Sequence, residues 1–187
     1  KKELNLATCT TAEHKAQLVK KPLWEKQIGT ITTFPVIHDL KNATACFGTD
    51  IKYMDLEKGT VHWTNTINRS ATSFIDERGK KHLISEAEFW HTQGRSFQSG
   101  SSLYIPSLNN RLIKINLKTG SVEWEFPTKT YIKHRPAGAK LPLKNNQTFI
   151  CAIDMAGNLY SINGKNGRKE KEIKLNSPPA GDLAIID

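Results

Sequence analysis

Six histidines (His14, His38, His62, His82, His91 and His134) and three cysteines (Cys9, Cys46 and Cys151) are the side chains of this 187-residue chain best suited to metal, redox or nucleophilic chemistry. Their spacing argues against it. No two histidines stand at a metal-ligand spacing, no Cys-x-x-Cys-His haem sequence occurs, and no Gly-x-Ser-x-Gly elbow presents a serine. An odd cysteine count without paired spacing supplies neither a disulfide framework nor a metal motif. Lone histidines on alternating strands are surface or seam residues. Cys46 and Cys151 fall in comparable strands, where a small apolar side chain packs well. No catalytic, cofactor-binding or metal residue is assigned.

Binding is better represented than catalysis. Phe89-Trp90-His91 and Phe97 stand among Gln, Gly and Ser in residues 86–100. Long loops in repeat folds lie at one rim and carry contacts, and aromatic side chains anchor interfaces. We therefore take Phe89, Trp90, His91 and Phe97 as candidate partner-binding residues. The same stretch also fits a loop that folds back over its own unit and buries Trp90, or a discontinuity in the chain.

The elements that would position these residues recur. Leu103-Tyr-Ile-Pro-Ser-Leu-Asn-Asn-Arg-Leu-Ile-Lys-Ile-Asn-Leu-Lys-Thr-Gly-Ser-Val-Glu-Trp-Glu-Phe126 reads as three short strands joined by two tight turns, because apolar residues alternate with polar ones and Asn or Gly marks each turn. Gly120 to Trp124 is matched by Gly59 to Trp63; in a third copy Gly167 is followed at the same distance by Lys171. The turn glycines lie roughly 60 and 47 residues apart, near the ~40–50-residue period of a propeller blade, with one long insertion. Trp24 fits the last strand of a preceding unit. Trp24, Gly59, Trp63, Gly120, Trp124 and Gly167 form the structural signature. A four-stranded blade cannot bury both faces alone, so the tryptophans are expected to fill the seams between stacked blades.

The strings Met54-Asp-Leu-Glu-Lys-Gly-Thr-Val-His-Trp63 and Ile115-Asn-Leu-Lys-Thr-Gly-Ser-Val-Glu-Trp124 resemble the PQQ-like β-propeller repeat of quinoprotein dehydrogenases and of the outer-membrane assembly lipoprotein BamB. Trp24 to Gly29 followed by Phe34-Pro-Val-Ile37 is similar to that family's passage between blades. The resemblance spans about residues 22–187. It implies an all-β propeller of four-stranded antiparallel blades near 30–65, 71–126 and 131–175, with the start of another at 177–187 and a linker or tether at 1–21. Three or four blades do not close the family's seven- or eight-bladed ring, so missing blades or other chains are expected to complete it.

The same resemblance implies two functions. One is a non-enzymatic scaffold that binds protein partners through rim loops in the periplasm, without a cofactor; by that resemblance residues 86–100 and the turns at Asn109-Asn110 and Ala156-Gly157 are the expected contact sites, which adds Asn109 and Asn110 to the partner-binding candidates. The alternative is a fragment of a quinoprotein dehydrogenase, although the adjacent-cysteine disulfide found beside the quinone in many such enzymes is missing here. A net charge of +9 raises the question of an anionic partner, yet the charge is spread along the chain and its densest run, residues 165–174, alternates in sign partway and fits a solvated edge. No nucleic-acid-binding motif accompanies it. No apolar run is long enough to span a membrane, which leaves peripheral membrane association open. Sequons begin at Asn42, Asn68 and Asn146.

Overall fold

The computed structural model describes residues 25, 35–47, 50–66, 73–76, 78–83, 95–107, 110–141 and 147–185. These residues build three four-stranded antiparallel sheets and one separate hairpin. The first sheet runs β1 (Val36–Ile37), β2 (Asn42–Phe47), β3 (Asp50–Asp55) and β4 (Val61–Thr66). The hairpin is β5 (Ser73–Ile75) with β6 (Lys81–Leu83). The second sheet holds β7 (Phe97–Ser99), β8 (Ser102–Ser107), β9 (Arg111–Asn116) and β10 (Val122–Pro127). The third holds β11 (Ala137–Leu141), β12 (Gln147–Ile153), β13 (Asn158–Asn163) and β14 (Lys169–Lys174). In every sheet, sequential strands are neighbours.

Alternation explains how the sheets stack. Side chains two apart along a strand share a face. On β8 and β9, Leu103, Ile105, Ile113 and Ile115 therefore point one way and pack with Cys46 and Ile51 of the first sheet. Tyr104 and Leu112 point the other way and pack with Ile150, Ala152, Tyr160 and Ile162 of the third. Fully burying each large aliphatic side chain contributes roughly 1.5–3 kcal/mol, so the second sheet is stabilised from both sides by its neighbours.

The strand boundaries differ from the sequence expectation in two places. Residues 86–100 were expected as an insertion, but Phe97–Ser99 is the first strand of the second sheet, and within the blade expected at 71–126 Ser73–Ile75 and Lys81–Leu83 form a separate hairpin. A three-residue strand is too short to show a period. In the blade expected at 131–175 the first strand is Ala137–Leu141. After β14, residues 175–185 run without a strand and return toward the start of the third sheet, where the Leu183 amide donates to the Arg135 carbonyl at 3.2 Å and the Arg135 amide to Asp182 Oδ1 at 2.9 Å. The expected linker at 1–21 lies outside the described residues.

Candidate functional site: the blade seams and the rim

The signature residues meet across the seams. The ring of Trp63, on β4, lies against Gly120 in the β9–β10 turn of the second sheet; that of Trp124, on β10, lies against Gly167 in the β13–β14 turn of the third. Each indole N–H also reaches the neighbouring sheet: Trp63 Nε1 donates to the Leu117 carbonyl at 2.9 Å, and Trp124 Nε1 to the Gly164 carbonyl at 3.3 Å. Gly59, Gly120 and Gly167 have φ of 65°, 72° and 72°, a left-handed conformation that glycine adopts without a Cβ penalty. Trp24 lies outside the described residues.

Two further features belong to the repeat, the first at the Asp or Asn of the repeated string and the second without a mark in the sequence. The carboxamide or carboxylate that opens each turn caps it: Oδ1 of Asp55, Asn116 and Asn163 accepts backbone N–H bonds from the residues two and three positions on. The fourth strand of each sheet also carries a register shift just before the signature position, between Val61 and Trp63, between Val122 and Trp124, and between Lys169 and Lys171. An inserted residue bends a strand and re-aims its side chains. The inserted residues here are His62, Glu123 and Glu170, and each makes a polar contact with its own sheet. Lys171, at the tryptophan position of the third sheet, is exposed.

Of the partner-binding candidates, Phe97 and Asn110 lie among the described residues. Phe89, Trp90, His91 and Asn109 lie outside the described residues. Phe97 is half-buried in the seam between the second and third sheets, 6.0 Å between ring centroids from Tyr104 and with the Arg135 guanidinium 5.5 Å from its ring. Asn110 takes φ of 58°, and its buried Oδ1 finds no hydrogen-bond partner among the described residues.

The connection between the first two sheets, residues 67–96, is far longer than the 128–136 connection between the second and third, and it carries the β5–β6 hairpin. Asp76 organises the hairpin's turn. Its Oδ1 accepts from the Arg78 and Lys80 amides at 2.9 and 2.8 Å, and its Oδ2 lies 2.6 Å from His82 Nε2; the His82 bond, then these amides, hold the carboxyl below its ordinary range. Arg78, Lys80 and Lys81 are exposed around it, so three cations are displayed about the tip, in a sequence that also holds Glu77.

Polar groups elsewhere tie one sheet to the next. Asp154, fully buried, accepts from the Asn158 amide and side chain, the Tyr160 hydroxyl and, at 3.2 Å, the Thr130 amide of the 128–136 connection. Burial pushes the Tyr160 phenol upward, and the Asp154 charge adds to it. Glu172 binds Lys129 and Lys169, each at 2.6 Å. His38 lies 2.6 Å from Gln98 Oε1 through Nδ1 and 2.8 Å from Thr44 Oγ1 through Nε2; burial lowers its pKa. Cys46 is buried and Cys151 half-buried, its thiol pushed up by burial.

Between the second and third sheets, where the β7–β8 and β13–β14 turns come together, a cleft of about 560 Å³ opens. Lys114, only 7% exposed, lines it. Lys114 Nζ is 2.7 Å from Glu123 Oε2 and 5.9 Å from the centre of the Tyr104 ring, and this ammonium draws the Glu123 carboxyl below its ordinary range. Among the described residues, no group of three or more His, Cys, Asp or Glu is placed to hold a metal ion, and no helix is long and apolar enough to cross a membrane.

The chain is similar in fold to the computationally designed Ika4 protein, with a TM-score of 0.59 and 12% identity over 87% of this chain and 84% of that one. It is also similar to the computationally designed Ika8 protein, with a TM-score of 0.58 and 12% identity over 84% of this chain; it spans 40% of the Ika8 length. A third likeness is to the Pan2 WD40 domain of Neurospora crassa, at a TM-score of 0.48 and 12% identity over 78% of this chain and 36% of that one. The three four-stranded antiparallel sheets, with the likeness to the two designed proteins, show a fold of β-propeller type. No family model matches the chain. No curated protein matches it.

Proposed function

We propose that the chain is a non-enzymatic propeller scaffold that binds protein partners at its rim. The observation that carries this reading is the β5–β6 hairpin. Among the described strands, β5 and β6 pair only with each other. A two-stranded hairpin is marginally stable alone in water, and a third strand or a packed face stabilises it. Its turn is preset by Asp76 and its tip displays Arg78, Lys80 and Lys81, so a partner that adds a strand to its edge and carries carboxylates near the tip gains main-chain hydrogen bonds and charge complementarity together. The aromatic stretch at residues 89–91 lies in the same connection.

Within this reading, BamB-type partner binding in an extracytoplasmic compartment is supported by the Gly-to-Trp repeat signature. The test is affinity capture with the wild type and with a variant carrying Arg78→Glu, Lys80→Glu and Lys81→Glu. The scaffold reading expects proteins retained by the wild type to be lost from the variant while the far-UV spectrum is unchanged. An identical captured set would refute the hairpin's role. A stoichiometric quinone absorbance band on adding PQQ with Ca²⁺ would replace the scaffold with the dehydrogenase reading.

A further inference from the structure

Lys114 occupies a place where the fold has no need of a cation. It stands opposite Trp124 across the β9–β10 pair, as Tyr53 stands opposite Trp63 and Ser161 opposite Lys171 in the neighbouring sheets. On its face of the second sheet the adjacent residues are Leu112 and Tyr104, both core. Taking an ammonium out of water costs several kcal/mol, and Glu123, an exposed residue whose carboxylate keeps its water on the outer side, offsets only part of that cost. An aromatic or small polar residue satisfies the same position in the other two sheets, so stability alone does not account for a lysine.

The cleft beside it supplies a reason. Among the described residues lining it are two cations, Lys114 and Lys165, and no carboxylate; hydroxyls and carboxamides, including Ser102, Thr148, Gln147 and Asn166, make up most of the rest. Its volume lies within the ~300–1,000 Å³ of small-molecule sites. An ammonium has three N–H donors; the contact with Glu123 uses one. The Tyr104 ring forms part of the wall and its hydroxyl donates to the Gly164 carbonyl at 3.4 Å. A β-carbon on Gly164 would come within 2.8 Å of the Thr148 carbonyl oxygen, so the glycine allows the close approach of the third sheet's turn that closes this side of the cleft.

We propose that this cleft binds a small hydroxyl-rich anion, whose carboxylate or phosphate oxygens are taken by Lys114 and Lys165 and whose hydroxyls are taken by the surrounding amides and hydroxyls. Glu123 competes with the ligand for Lys114. It therefore sets the affinity from outside the lining, and neutralising it has the opposite effect to neutralising the lysine. The site is independent of the hairpin and does not rest on partner binding.

The experiment is calorimetric titration of the intact chain with glucuronate, glucose 6-phosphate, glucose and inorganic phosphate. Both charged sugars are expected to bind, glucose to bind at least about ten-fold more weakly, and the tighter of the two to identify the preferred head group. Lys165→Gln, at an exposed position, is expected to weaken binding several-fold without altering the fold; Lys114→Met to abolish it; and Glu123→Gln to tighten it. Absence of binding by every probe up to about 10 mM, equal binding of glucose and the anions, or a Lys165→Gln protein that binds as the wild type does would overturn the proposal. Inorganic phosphate binding as tightly as the sugar phosphate would show an adventitious ion only and would overturn it as well.

Discussion

The indole of Trp124 lies against Gly167 so closely that a β-carbon on the glycine would sit 2.9 Å from Cδ2, and Trp63 approaches Gly120 to 2.7 Å in the same way. Two demands meet at each glycine, a left-handed backbone and a vacant site for an aromatic ring, whereas Gly100, with φ of 58°, has open space where its β-carbon would be. A left-handed residue other than glycine costs roughly 1–2 kcal/mol, and overpacking adds about 1–3 kcal/mol. Gly120→Ala and Gly167→Ala should therefore lower stability by about 2–5 kcal/mol and Gly100→Ala by about 1–2 kcal/mol. Urea unfolding midpoints compare the three; equal losses would mean that the indole does not need the vacant site.

Asn110 holds the place in the second sheet that Gly157 holds in the third, and both take positive φ, 58° and 80°. Asparagine tolerates that conformation, but its Oδ1 is buried without a partner among the described residues, and an unsatisfied buried acceptor costs about 1–3 kcal/mol. Asn110→Gly removes that cost and keeps the backbone free, so it should raise stability by about 1 kcal/mol. Asn110→Ala removes the same acceptor but leaves a β-carbon in the left-handed region, so the glycine variant should unfold at the higher denaturant concentration. Retention of partner capture by the glycine variant would separate the residue's role in the turn from one in binding.

The seams could be read from the sequence because the Gly-to-Trp spacing is local and repeats. The three register shifts before Trp63, Trp124 and Lys171 could not, since a bulge is a relation between two strands and leaves no pattern in one. Phe97 shows the same limit. As a sequence feature it is an aromatic residue among Gln, Ser and Gly; in space its ring fills the volume that a β-carbon on Gly138 would enter at 2.5 Å. That contact also accounts for Ala137-Gly138-Ala139, a strand so poor in β-branched and aromatic residues that propensity points elsewhere. The cleft beside Lys114 was hidden for a related reason: its walls come from two sheets, and only their packing brings Lys114 and Lys165 to one space.

Asp154 should prove indispensable to the third sheet. Four donor groups converge on a carboxylate with no exposure, and its removal leaves several of them buried and unpaired, each at about 1–3 kcal/mol. Asp154→Ala is expected to cost about 3 kcal/mol or more, and Tyr160→Phe, which removes one donor together with the acceptor of the Lys129 amide, about 1–2 kcal/mol. Denaturation of both variants checks the order. If Asp154→Ala is the milder of the two, the carboxylate does not organise this cluster.

Two pH windows follow from His38 and Glu172, and both lower stability as acid is added. Burial lowers the His38 pKa from 6.5, so the unfolded chain takes up its proton first; the contribution is complete above about pH 6.5 and is lost as pH falls toward the folded value. Glu172 is drawn from 4.5 to about 2 by its bond to Lys129 and then by that to Lys169. Its contribution is present above about pH 4.5 and disappears as pH falls through about 2, and the exposed setting and added salt diminish it. Thermal midpoints between pH 7.5 and 2 should thus show one step that begins below about pH 6.5 and that His38→Gln flattens, and a second below about pH 4.5 that Glu172→Gln flattens. The two substitutions are expected to act in different windows because His38 joins the first two sheets through Gln98 and Thr44, while Glu172 ties β14 to the connection that leads into its own sheet.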